Sequence, residues 1–424
     1  MAASWRQTTL GEIGDIVTGK TPPAVRAEYF SGDIPFVTPS DFDGRRKIDA
    51  TVRSLSESGA ASIGRVLVPP NAVMVSCIGS DMGKAAMSTF NCVTNQQINS
   101  LIVGPDADPQ FVYYDLSRRK EEMRRLASGS AQPILNKSAF GRLTIFLPPL
   151  PEQRAIASIL GALDDKIEVN RKISATLEAI ARALFKSWFV DFDPVRAKAE
   201  GRDPGLDADI AALFPDSFED SELGEIPKGW SVEPIVALAE IVGGGTPSTS
   251  EPAYWDGPFA WVTPKDLAAL KTPVLLSTNR TISEQGLSTI SSGLLPIGTL
   301  LLSSRAPIGY LAVAELPVAI NQGFIAMKAR EEISNLFLLR WSESAHDDIL
   351  ARANGSTFLE ISKSNFRPIP VVVPVAPLMR AFDDIARPLH DRLVLSELES
   401  RSLVALRDAL LPQLISGEVR VSST

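Results

Sequence analysis

Histidine and cysteine are almost missing from this chain of 424 residues, which has two of each: His346, His390, Cys77 and Cys92. No CxxC or Cys/His spacing occurs, so neither a disulfide framework nor a structural zinc site is expected. Serine–histidine–acid catalysis has little to draw on, because His346 precedes Asp347-Asp348 on an expected surface helix and His390 falls in a long helical segment. Long apolar runs are missing as well. Nothing approaches the ~18 to 20 residues needed to span a bilayer, and Met1 to Leu10 lacks the apolar centre of a signal peptide. A cytoplasmic chain without a membrane partner is expected. Basic charge is not in excess either, since the formal net charge is -8.

That acidity is local. Between Asp191 and Lys228 there are 11 Asp/Glu and 4 Lys/Arg, leaving 39 acids against 38 bases elsewhere. A nearly neutral remainder allows basic clefts but lacks the footprint of a strong stand-alone DNA binder. With 45% apolar and 22% charged residues the composition is that of a folded globular chain, and its length predicts two or three domains.

What the sequence does contain is a repeat. Gly19 to Asp41 aligns without gaps on Gly244 to Asp266, with nine of 23 positions identical: Gly19/Gly244, Thr21/Thr246, Pro22/Pro247, Tyr29/Tyr254, Gly32/Gly257, Val37/Val262, Thr38/Thr263, Pro39/Pro264 and Asp41/Asp266. The register continues through Asn95-Gln96 on Asn321-Gln322, Gly129-Ser130 on Gly355-Ser356, and Lys137-Ser138 on Lys363-Ser364. Each copy opens with short β-type runs, such as Ala72 to Ser76, Leu143 to Leu147, Thr299 to Ser303 and Pro370 to Val373. Helical spacing over Phe111 to Ala127 and Leu336 to Ala353 predicts one helix packed on each sheet.

Each copy closes with a long apolar seam at spacings of three and four. In the first, Ile156, Leu160, Leu163, Ile167, Asn170, Leu177 and Leu184 mark it; in the second, Leu389, Leu393, Ser396, Leu403 and Leu410 do. Proline pairs at Pro148-Pro149 and Pro374/Pro377 precede the two helices. Equivalent helices of tandem copies pair most simply about a pseudo-twofold axis, hence antiparallel. The fold class expected is α+β: a tandem pseudo-twofold repeat with two mixed α/β globular domains separated by two long antiparallel coiled-coil helices. Asn170 and Ser396, equivalent polar positions in apolar seams, are then expected to meet at the crossing as a register device, or else to face solvent.

Gly14-x4-Gly19-Lys20-Thr21 matches the P-loop pattern formally. It is not one: Pro22-Pro23 follows where a helix is required, and the second copy has Ala239 and Gly245 in place of the first glycine and the lysine. No paired-carboxylate or metal-ligand pattern recurs in both copies, so no catalytic or metal site is expected. Cys77 reads as a small core or loop residue. The segments Ser76 to Lys84 and Ser303 to Gly309 differ in charge and length on matching frames, the arrangement expected of two related surfaces reading different things. Lys84 and Arg305 suit guanine edges or phosphate, and Gln96, Gln97, Asn321 and Gln322 suit adenine edges, unless the Asn-Gln pairs cap strands inside the fold. Thr38 and Thr263 join them as DNA-contact candidates, and Ser130 with Lys137 and Ser356 with Lys363 suit backbone phosphates. Arg118, Arg119, Lys120, Arg124 and Arg125 are interrupted by Glu121-Glu122 and read as a solvated face.

The run Pro148-Pro149-Leu150-Pro151-Glu152-Gln153-Arg154, the junction Ser187-Trp188-Phe189-Val190-Asp191-Phe192-Asp193-Pro194-Val195 and the segment Ser221 to Trp230 resemble the DNA-specificity subunits of type I restriction-modification systems. The second copy departs from the pattern at Pro374 to Arg380, which lacks the Glu-Gln pair. The resemblance implies target recognition domains at 1–150 and 229–375, conserved spacer helices at 151–190 and 376–424, and an acidic linker at 191–228. It also implies a non-catalytic subunit that binds double-stranded DNA with a bipartite target, two adenine methyltransferase subunits and restriction/translocase subunits. S-adenosylmethionine, ATP and Mg are then expected on the partners and no cofactor on this chain. Two other readings stay open from the residues: a coiled-coil structural adaptor for protein partners, and an enzyme with a novel site.

Overall fold

The computed structural model describes residues 5–64, 66–127, 133–355 and 359–421. Ser130 and Ser356 lie outside them. The two compact units are not contiguous along the chain: the first joins residues 1–170 to 399–424, and the second spans 171–398.

In the first unit a five-stranded sheet runs in the order Gly14–Thr18, Ile98–Val103, Val73–Ser76, Ala85–Ser88, Lys47–Ile48, with only the last pair parallel. A smaller sheet orders Arg53–Leu55, Ile34–Val37 and Val93–Thr94, and Arg6–Thr9 pairs with Thr144–Leu147. The second unit repeats the plan. Its five strands run Ala239–Gly243, Phe324–Ala329, Leu300–Ser304, Ile308–Ala314, Val274–Leu275; its three-stranded sheet orders Arg280–Ile282, Trp255–Val262 and Val318–Ile320; and Ser231–Pro234 pairs with Pro370–Val373. The fold is therefore a tandem repeat of a mixed α/β globular domain, each copy followed by a long helix, as the sequence repeat requires.

The single helices expected over 111–127 and 336–353 are each two. Pro109–Ser117 is followed by Lys120–Leu126, and Asn335–Ser344 by His346–Ala351. Both first helices start on a side-chain cap, Asp108 or Ser334. At the first break Arg119 turns inward to donate to Asp115 at 2.9 Å and Glu122 at 2.7 Å, so local ion pairing replaces continued helical periodicity.

The long helices cover Leu150–Phe189 and Ala376–Ser416. Within the first unit Ile156 and Leu160, both fully buried, join a core with Leu414 and Ile415, and Asp164 accepts from Arg407 at 2.8 Å and from the Tyr114 hydroxyl at 2.6 Å. Arg420 donates to Glu152 at 2.6 and 3.0 Å. In this unit the helical segments thus run antiparallel. In the second unit Phe185 and Phe189 stack edge-on against Phe382, at ring distances of 6.1 and 5.3 Å, and Leu393 is buried, again an antiparallel pairing. Leu163, Ile167, Leu177, Leu184, Leu389, Leu403 and Leu410 are half-buried. Asn170, 1% exposed, donates its amide to Glu399 at 2.9 Å and Ser400 at 3.3 Å; Ser396 is buried in the second unit.

The acidic stretch 191–228 is folded. It carries the helix Asp193–Ala199 and the hairpin Phe218–Ser221/Gly224–Pro227, and its Phe192, Val195, Phe214 and Ile226 enter the aromatic core around Trp188, Phe189, Trp230, Phe337 and Phe382. Its acids are carried mostly on the exposed side, so one amphipathic segment supplies both the charge and the apolar contacts.

Candidate nucleic-acid interface

In the first unit, four backbone hydrogen bonds gather separate parts of the sequence along one edge. Lys20 donates to Thr94 O at 2.9 Å, Asn95 to Val37 O at 3.0 Å, Cys77 to Gln97 O at 2.7 Å, and Leu135 to Cys77 O at 2.9 Å. The strap 19–21, the turn 94–97, the end of the strand Ile34–Val37, the loop after Ser76 and the segment leading to Lys137 are thereby neighbours. The second unit reproduces this set: Gly245 donates to Ile320 O at 2.9 Å, Asn321 to Val262 O at 3.0 Å, Ser304 to Gly323 O at 2.8 Å, and Ile361 to Ser304 O at 3.0 Å.

The repeated identities explain why. A Cβ on Gly19 would lie 2.1 Å from Asn95 O, and one on Gly244 1.9 Å from Ile320 O, so only glycine lets the strap cross the turn. Thr21 then donates its hydroxyl to Gln96 Oε1, and Thr246 to Gln322 Oε1. Both glutamines are exposed and keep their amide N–H groups as outward donors. Gln97 is half-buried, accepting from Asn95 Nδ2 at 2.9 Å, and Asn321 Oδ1 accepts from Gly323 N at 2.8 Å. The Asn-Gln pairs are therefore split in role, with the asparagine shaping the turn and the exposed glutamine presented on it.

Thr38 and Thr263 are turn residues. Asp41 Oδ2 accepts from Thr38 N at 2.7 Å and from its hydroxyl at 2.9 Å, while Asp41 Oδ1 accepts from Val52 N at 2.9 Å. Asp266 does the same for Thr263, at 2.8 and 2.6 Å, and for Asn279 N at 2.9 Å. The Thr-Pro-x-Asp motif thus ties down the chain just before Arg53 and just before Arg280.

Those two arginines stand outside every motif the sequence displays. Arg53 stacks on Phe30 at 4.4 Å and lies 5.7 Å from Phe36, its cross-strand partner; Arg280 stacks on Trp255 at 3.5 Å and lies 5.7 Å from Trp261, likewise its cross-strand partner. Both are exposed, and among the described residues neither guanidinium has a hydrogen bond or ion pair. Their sequence signal is Thr51-x-Arg53 against Thr278-x-Arg280, at an offset of 227 where the flanking alignment runs at 225.

The copies diverge in the loop after the central strand. Lys84 pairs with Asp81 at 2.8 Å, and Arg305, in a shorter turn, faces Glu360 at 3.7 Å. Lys137 and Lys363 begin short helical turns, both exposed, and Lys363 lies across Gly243. In the basic cluster Arg118 and Arg119 pair with Asp115, and Arg124 with Glu121. His390 is buried with Nε2 2.7 Å from Glu315, and His346 lies beside Gly309. Burial pushes the Cys77 thiol up to about 11 and the Cys92 thiol up to about 12. Among the described residues no group of His, Cys, Asp and Glu is placed to hold a metal ion, and no helix is long and apolar enough to cross a membrane.

With this geometry in place, the comparisons with known proteins agree on one family. The model of the type I restriction modification DNA specificity domain matches residues 3–179 and 227–378. The chain is 24% identical over 425 residues to the type I restriction enzyme MjaIX specificity subunit of Methanocaldococcus jannaschii, covering 98% of this chain and 94% of that one. It is 26% identical over 370 residues to the HindI specificity subunit of Haemophilus influenzae, covering 75% and 80%. Its fold is similar to that of the type I restriction-modification S subunit from M. genitalium, with a TM-score of 0.63 at 18% identity, covering 97% and 96%.

Proposed function

Because the chain belongs to the type I restriction-modification DNA specificity family, we propose that it reads a bipartite duplex target, one half with each globular domain. The observation that carries this is the pair of matching frames bearing unlike loops, Ser76 to Lys84 in one and Ser304 to Ile308 in the other. A common frame gives both halves the same mode of docking, and unlike loops give them different sequences. Gln96, Lys84, Gln322 and Arg305 are the side chains assigned to the bases or the adjoining phosphates, and Lys137 and Lys363 to phosphates.

The long helices fix the unread spacer and dock the modification subunits. Forty residues make a helix about 60 Å long, at ~1.5 Å per residue. Methyl transfer and cleavage then belong to partner subunits, with their S-adenosylmethionine, ATP and Mg, and this chain supplies the address. Its nearly neutral charge outside 191–228 supports that division, because partners bound to the same duplex supply the remaining phosphate contacts.

The test is the adenine methylome of the native host with and without this gene. Loss of one bipartite motif supports the proposal and reveals both half-sites and the spacer. An unchanged methylome, with no methyltransferase recovered on the purified chain, favours the adaptor reading. Exchange of the loops Ser76 to Lys84 and Ser304 to Ile308 separates the two readings further, since only a DNA reader changes its motif.

A further inference from the structure

The Arg53 and Arg280 corners are built alike by residues far apart in sequence. In the first unit, Thr51 donates its hydroxyl to Arg53 O at 2.7 Å, Asp41 holds Val52 N, and Ser56 N donates to Tyr29 O at 3.0 Å behind the Phe30 ring. In the second, Thr278 donates to Arg280 O at 2.7 Å, Asp266 holds Asn279 N, and Ser283 N donates to Tyr254 O at 3.0 Å. Gly59 and Gly286 leave room for the same tyrosine backbone: a Cβ there would lie 2.4 and 2.3 Å from Tyr29 O and Tyr254 O. In the second unit the rings are also pinned to the strap, Trp261 Nε1 to Gly245 O at 3.1 Å and Trp255 Nε1 to Ser248 O at 3.0 Å.

Three of the nine repeated identities, Tyr29/Tyr254, Thr38/Thr263 and Asp41/Asp266, together with Thr51/Thr278 and Gly59/Gly286, thus support one arginine in each unit. The guanidinium is fixed over an aromatic face, is exposed, and among the described residues has no carboxylate or carbonyl partner. Cation–π stacking restrains a guanidinium while leaving its in-plane N–H donors open. By contrast Arg45, Arg119 and Arg124 in the first unit are each paired with carboxylates. A restrained cation with open donors is suited to an anionic ligand.

We propose that Arg53 and Arg280 are equivalent phosphate clamps, each gripping the DNA backbone beside its own half-site. The inference rests on the DNA-reading function proposed above and adds the residues that position each domain on the duplex. Backbone rather than base contact follows from the repeat itself. The two halves of a bipartite target differ in sequence, so an arginine kept with its backbone support and an aromatic platform in both copies serves what both halves share, the sugar–phosphate chain.

The experiment uses the full chain in complex with the modification subunits that co-purify with it, and a duplex carrying the motif identified by the methylome. Affinity is measured across salt concentration for the parent, for Arg53→Gln and Arg280→Gln, for the pair, and for Arg53→Lys and Arg280→Lys. Each Gln variant is expected to reduce the slope of log affinity against log salt by about 0.9, which shrinks the loss between 50 and 200 mM salt about 3.5-fold. The pair removes about twice as much slope, and the methylated motif stays the same. The Lys variants keep the slope and bind more weakly, because the ammonium lacks the stacked planar fork. Gln variants that melt like the parent and keep its slope overturn the proposal, and so does a change in the motif of the altered half-site. If a Gln variant fails to fold, Lys variants that bind as tightly as the parent overturn it as well. A parent complex that shows neither sequence-dependent binding nor bipartite methylation overturns the DNA-reading function, and the arginine role with it.

Discussion

Arg340 donates Nη2 to Glu178 Oε1 at 2.7 Å and Nη1 to Glu178 Oε2 at 3.0 Å, with the side chains only 5% and 7% exposed. This bidentate pair joins the first long helix to the helix Asn335–Ser344 inside the second unit. The repeat-equivalent slot in the first unit holds Tyr114, whose hydroxyl donates to Asp164 at 2.6 Å. Burial and that carboxylate push the Tyr114 phenol far above its usual range, so it stays a donor. The two contacts are not equivalent, since Asp164 aligns with His390 and Glu178 with Val404, so equivalent positions on the two domains reach the first long helix at different places and by different chemistry.

Glu178→Ala should cost about 3 to 5 kcal/mol of stability, because it strips a buried guanidinium of its main partner. Glu178→Leu combined with Arg340→Met should lose much less, since no charge is left stranded. Urea unfolding of the three chains checks the order. Equal losses in the single and double variants would show that packing, not charge, holds this joint.

Gly244→Ala should lose about 1 to 3 kcal/mol, since its Cβ would sit 1.9 Å from Ile320 O. Gly245→Ala meets nothing closer than Ile290 at 3.9 Å and should stay within about 0.5 kcal/mol of the parent. Thermal unfolding of the two neighbouring variants separates them.

Residues 171–177 and 392–398 face each other if the pairing of Asn170 with Glu399 is continued antiparallel. Removing both heptads shortens the pair by about 10 Å at ~1.5 Å per residue while keeping its facing seam. The spacer in the methylated motif should then shorten by about 3 base pairs, or methylation should cease. An unchanged spacer would refute the role of the helices as a ruler.

Because burial raises the thiols of Cys77 and Cys92 to about 11 and about 12, the reactive thiolate is nearly absent at pH 8. Iodoacetamide should leave the folded chain unmodified and label both cysteines in denaturant, as read by mass. The stabilisation from keeping both thiols protonated is complete below about pH 8.5, the unfolded value, and is lost as the pH climbs through about 11 for Cys77 and about 12 for Cys92. Rapid labelling of the native chain would show that the central sheet opens.

The sequence alone established the duplication, the long terminal helix of each copy and the strands Ala72 to Ser76, Leu143 to Leu147, Thr299 to Ser303 and Pro370 to Val373. These rest on local periodicity and on identities at a fixed offset, which survive without knowledge of contacts. The family resemblance was legible in the runs at 148–154 and 187–195 for the same reason. The helix breaks at Arg118-Arg119 and Ala345 were not, because Arg119 leaves the helical pattern to satisfy two carboxylates. Only the tertiary structure decided what the repeated residues do. Thr38 and Thr263, expected as DNA contacts, each donate a hydroxyl to the turn carboxylate of Asp41 or Asp266, a role in the turn that the sequence alone does not display. Arg53 and Arg280 stand in no recognisable motif, and only the folded chain puts Phe30 and Trp255, more than twenty residues away, beneath them. Stacking and cross-strand register join residues through space, and no spacing along the chain records which ring will lie under which cation.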